Sequence, residues 1–130
     1  MDLSGFKAFD FSEGMPYFSV TQNGLTFNKS VTQKIGCPSH ARLLINSETS
    51  QLVLQACTPT TPQAVTYYKP RQSGVLSVRW NSKDLISTIQ RLLNADFEKD
   101  SFRVEGELVD EGTMLFDLKK AKQLSIRFPE

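Results

Sequence analysis

Two short runs, Phe27-Asn28-Lys29-Ser30 and Trp80-Asn81-Ser82-Lys83, stand about 53 residues apart. Each closes a segment that reads as a strand and opens one that reads as a helix. The order strand, aromatic, Asn cap, helix, strand, turn, strand follows both times. Such a recurrence indicates related supersecondary units, each too small to bury its own apolar face, stacked on a shared core. The 130 residues, 39% hydrophobic and 22% charged, are enough for one such core.

After a loose segment 1–16, "YFSVTQNGLTFN" reads as two strands around Asn23-Gly24, a pair suited to the positive φ angles of a type I′ turn. Asn28 is a good N-cap, Val31 and Ile35 fall four apart on a short helix, and Gly36 supplies its stop. The tetrapeptide Ser-Val-Thr-Gln therefore occurs once as strand, at residues 19–22, and once as helix, at 30–33. "ARLLINSETSQLVLQA" follows as a hairpin, with apolar runs Ala41 to Ile45 and Leu52 to Ala56 about a polar turn. Residues 58–74 hold three of the six prolines among Thr, Ser and Gly, and read as an extended connector between the units. Beyond it "VLSVRW" is a strand, and Asn81 or Ser82 caps a helix with the apolar stripe Leu85, Ile86, Ile89, Leu92 and Leu93. A third hairpin, "SFRVEGELV" with "TMLFDL", turns Phe102, Val104 and Leu108 toward the core and Arg103, Glu105 and Glu107 outward.

The run Tyr17 to Ala56, with "VTQNGLTFNKSVTQKIG" leading into the hairpin, resembles the N-terminal DNA-binding domain of the AbrB/MazE/SpoVT transition-state-regulator family. Strand, Gly-containing turn, strand, short helix ending in Ile-Gly and hairpin occur in the family's order. Residues 75–118 would be a degenerate second copy without a first strand. The chain would then resemble a fused pair of units where the family uses two chains, which implies a swapped-hairpin, barrel-like β core. Asn28 stands where the family has Pro, and the uncharged "SVTQNGLTF" replaces its arginine-rich reading strand and turn.

The expected fold is thus α+β and strand-rich, two βαββ-type units around one core with two short helices. Its divisions are an N-terminal segment 1–16, a first unit 17–57, a connector 58–74, a second unit 75–118 and a tail 119–130. Net charge is +1, divided as seven Lys/Arg against four Asp/Glu in residues 1–82 and eight against ten in 83–130. No global field commits the chain to one polyanion, and an anion-binding face belongs in the first part. The candidate nucleic-acid-binding residues are Lys29, Lys34, Arg42, Lys69, Arg71, Arg79 and Lys83. In "YYKPRQ" they combine with Tyr67 and Tyr68, as a groove for a nucleic-acid backbone would require. The plainer reading of that stretch is a solubilising loop whose tyrosines pack on the barrel. Trp80 and Phe27 read as core anchors, or alternatively as a binding pair.

No catalytic or metal site is expected. His40 is the sole histidine. Cys37, three residues before it, follows a helix end, where the dipole opposes thiolate formation. Cys37 and Cys57 lack zinc-site spacing and read as reduced thiols. The carboxylates of "FEKDSFRVEGELVDEG" do not follow the EF-hand order and read as a solvated sheet face with turn chemistry at Asp110-Glu111-Gly112. No signal peptide or membrane-spanning run is apparent, so the expected location is cytoplasmic. Together these features point to a small non-enzymatic DNA-binding regulator of bacterial or phage origin, without cofactor, acting on duplex DNA. The alternative is a protein–protein interaction module, antitoxin-like or a phage accessory factor, with a protein partner or a second copy, that has lost DNA binding.

Overall fold

A computed structural model describes residues 1–8, 14–70 and 75–124. The fold is strand-rich α+β: two α-helices against one curled antiparallel sheet that forms a half-barrel. No helix among the described residues is long and apolar enough to cross a membrane.

The chain enters through β1 (Tyr17–Thr21) and β2 (Gly24–Phe27), which pair with Phe18 opposite Phe27. The Asn-Gly turn expected here does not form. Thr21 pairs with Gly24, so Gln22 and Asn23 make the loop, and neither Asn23 nor Gly24 has positive φ. Gly24 lies instead inside β2, where an added Cβ would come within 2.9 Å of the Arg79 guanidinium. What favours glycine there is the close approach of the Arg79 side chain rather than a turn. Asn28 caps α1 (Lys29–Lys34), accepting from Val31 N–H at 3.2 Å. The helix ends with a paired bond set: Gly36 N–H to the Gln33 carbonyl and Cys37 N–H to the Thr32 carbonyl, with Gly36 at φ 92°. This is the Schellman arrangement that the Gly36 stop implies.

Hairpin β3 (His40–Asn46) and β4 (Gln51–Cys57) forms as expected, in the register Leu43 opposite Leu54. Within the segment read as a connector lies a two-residue strand, β5 (Val65–Thr66), paired with β3. After β6 (Val78–Trp80), Ser82 rather than Asn81 caps α2 (Lys83–Leu93), accepting from Leu85 N–H at 3.2 Å. Ile86 and Ile89 of its stripe are buried.

The last strands are β7 (Ser101–Asp110), β8 (Thr113–Asp117) and β9 (Lys122–Leu124), the last of these inside the region read as a tail. A 3-10 turn, Leu118–Lys120, separates β8 from β9, and both pair with β7. Val104 is buried, but Leu108 is 46% exposed because β7 extends past the core beyond Gly106.

Every neighbouring pair of strands is antiparallel, in the order β5-β3-β4-β8-β7-β1-β2-β6. Inside the curl Phe18, Phe27 and Phe116 pack within 4.9–6.0 Å between ring centroids, all fully buried. Hairpin β3–β4 takes both its outer neighbours, β5 and β8, from the later part of the chain. In the same way β1 lies beside β7 and β2 beside β6.

Candidate functional site at an open seam

The sheet ends on two unjoined strands. β5 pairs with β3 along one edge, β6 pairs with β2 along one edge, and β5 and β6 form no ladder with each other. Two clefts lie along the seam between them. One, of about 540 Å³, is chiefly apolar and bounded by Leu43, Ile45, Val65, Trp80 and Leu85. The other, of about 510 Å³, is bounded by Thr66 to Lys69 on the β5 side and by Val75 and Ser77 to Trp80 on the β6 side. Thr66, Arg79 and Trp80 line both. A third hollow touches Ser39, His40, Tyr68 and Lys69.

The Trp80 ring meets Phe27 at 5.0 Å and Tyr67 at 5.9 Å between centroids, both nearly at right angles, so the indole is held against the core while also lining the clefts. Tyr67 is buried. Its hydroxyl lies 3.0 Å from Thr32 Oγ1, and its N–H donates to the Ser39 carbonyl. Burial pushes the phenol pKa well above its usual value, against the lowering effect of the Thr32 bond. A ring fixed in this way packs on the barrel and is not available to stack on a base. Tyr68 is half-buried and lines the cleft.

The candidate cations do not converge. Lys69 is exposed on the seam. Arg79 lies across Gly24, donating from Nη2 to the Asn23 carbonyl (3.1 Å) and from Nε to Asn81 Oδ1 (3.3 Å). Arg42 is on β3, its Nε bonded to Gln55 Oε1 at 2.8 Å. Lys29 and Lys83 are the exposed first residues of the two helices, and Lys34 is the half-buried last residue of α1. Arg71 lies outside the described residues. Only Lys69 and Arg79 therefore share a described cleft, and among the described residues no Asp or Glu lines any of the three hollows.

Cys37 and Cys57 are free thiols, and His40 Nδ1 lies 2.9 Å from Ser39 Oγ. Among the described residues no three metal-ligating side chains come together. Sequence reasoning did not find Leu43, Ile45, Val65, Thr66 or Leu85 as site residues. A two-residue strand among Thr and Pro leaves no periodic signal, and the leucines and isoleucine read simply as core.

Comparison with protein-family models, with curated proteins and with solved structures finds no match.

Proposed function

We propose that this protein is a non-enzymatic interaction module, a single-chain counterpart of a swapped-hairpin pair, which takes up an extended segment of a partner protein at the β5–β6 seam. The observation that carries this reading is the seam itself: two strand edges, each paired on one side among the described residues, flanking one chiefly apolar cleft and one more polar cleft. Such edges are templates for strand addition, in which main-chain bonds give affinity and side-chain hollows give selectivity.

The strand pairing supports the two-unit architecture. β2 and β6 pair antiparallel about Thr26 opposite Arg79, and a two-fold rotation there exchanges Phe27 with Trp80, the residues that open the sequence repeat. A similar rotation about Val53 opposite Leu115 exchanges β4 with β8. On this reading β5 is the first strand of the second unit, worn to two residues. β1 bonds both its neighbours, β7 and β2, whereas β5 bonds one. The resemblance to AbrB/MazE/SpoVT-like units then describes architecture more than chemistry.

A pull-down from the organism that carries the protein, after nuclease digestion, is expected to recover one stoichiometric partner. Lys69→Glu and Ile45→Glu, both at exposed seam positions, should each release it. Retention by both variants would exclude the seam.

The shared position of Lys69 and Arg79 favours a second reading, a duplex-DNA-binding regulator. Its signature is binding that falls steeply with salt and weakens when Lys69 and Arg71 are changed together. Absence of any shift at low ionic strength would end it.

A further inference from the structure

We infer that the segment received at the seam is acidic, and that it carries one bulky apolar side chain flanked by carboxylates in an extended conformation. This rests on the strand-addition reading above and specifies its partner.

The lining of the seam carries the argument. Along it the chemistry changes from an apolar hollow, walled by Leu43, Ile45, Trp80 and Leu85, to a polar cleft bearing Lys69. Trp80 lines the hollow while its ring packs nearly at right angles on Phe27 and Tyr67, which fixes an aromatic surface there that suits an aromatic or branched aliphatic group. Among the described residues lining the three hollows, the permanent charges are Lys69 and Arg79, both positive, with no carboxylate beside them. Arg79 uses two of its five donors on Asn23 and Asn81, leaving the rest of the fork for a carboxylate. A lysine-bearing segment would meet two like charges, and a neutral one would leave both unanswered. Among the described residues β5 and β6 each pair along one edge only, and strand addition there requires extended backbone with its N–H groups intact, so proline beside the anchor is excluded.

Trp80 is the single tryptophan of the chain and lines both clefts, so its emission reports occupancy directly. The probes are three terminally blocked heptapeptides: Glu-Asp-Val-Phe-Val-Glu-Asp, the same core flanked by lysines, and the acidic form with both valines replaced by proline. The acidic peptide is expected to shift Trp80 emission saturably and to protect the amides of residues 78–80 from exchange. The lysine peptide should bind about tenfold more weakly, the scale of losing and reversing exposed pairs, and the proline peptide should produce no shift. Lys69→Glu, an exposed change, should narrow or invert the order of the acidic and lysine peptides. Equal binding of those two peptides overturns the acidic assignment and leaves strand addition standing. Binding of the proline peptide as tightly as its parent, or no shift with any peptide, overturns both.

Discussion

Asn28 shows how much one residue holds at the residue scale. Its Oδ1 accepts from Val31 N–H and from Tyr17 N–H, its Nδ2 donates to the Met15 carbonyl, and its own N–H reaches the Tyr17 carbonyl. Ser82, its counterpart before α2, makes the cap bond alone. Asn28→Ala should therefore cost about 2 kcal/mol and Ser82→Ala about 1, the upper and middle parts of the range for lost caps, read from denaturant midpoints. The cap was legible in the sequence; its hold on the chain entering β1 was not, since that depends on where Met15 and Tyr17 fall in space. Tyr67 gives a second test. Its phenol loses a proton near pH 10 when unfolded and at higher pH when folded, so unfolding releases a proton within that window. Stability from this group is constant below about pH 10 and falls above it by at most ~1.4 kcal/mol per unit. The stability advantage over Tyr67→Phe should be flat from neutral pH to about 9.5 and shrink beyond pH 10; urea midpoints across this series decide the matter.

Two glycines separate turn chemistry from packing at the scale of elements. Gly106 sits in β7 opposite Phe116, where an added Cβ would approach Met114 Sδ to 2.6 Å and Phe116 Cε1 to 2.7 Å, both in the core. Gly24 would meet only the far end of Arg79. Gly106→Ala should thus cost about 2 kcal/mol by overpacking, and Gly24→Ala less, with the added loss of the Arg79 bond to Asn23. Thermal or urea unfolding of the two variants measures the order; equal costs would contradict it. The Asn-Gly dipeptide suggested a turn because local chemistry permits one. The register with β7 and β6 shifted the loop back by one residue, a choice made by pairing rather than by propensity.

The strands interleave across the whole molecule. β3–β4 rests on β5 and β8, while β1 and β2 rest on β7 and β6. A chain cut between Thr60 and Thr61 should give halves that are unfolded alone and that combine one to one on mixing, followed by circular dichroism and size-exclusion chromatography. An independently folded half would show that the two parts of the chain do not need each other. The seam belongs to the same scale: β1 is five residues long and bonds two neighbours, whereas β5 is two residues long and bonds one.

From sequence alone, the α2 stripe, the two helix starts, the three β-hairpins and the strand-rich class were determined, because capping, turn chemistry and apolar periodicity act over a few neighbouring residues. The plainer reading of the tyrosine loop, packing on the barrel, holds for Tyr67, which is buried; only the tertiary structure decided that β5 and β9 form inside segments read as connector and tail, and that Leu108 is left exposed. It also decided that Lys69, Arg79 and Trp80 line one cleft while Arg42 turns to Gln55. Those outcomes depend on which edge each strand finds after the chain has curled, and partners far apart in sequence leave no local pattern to read.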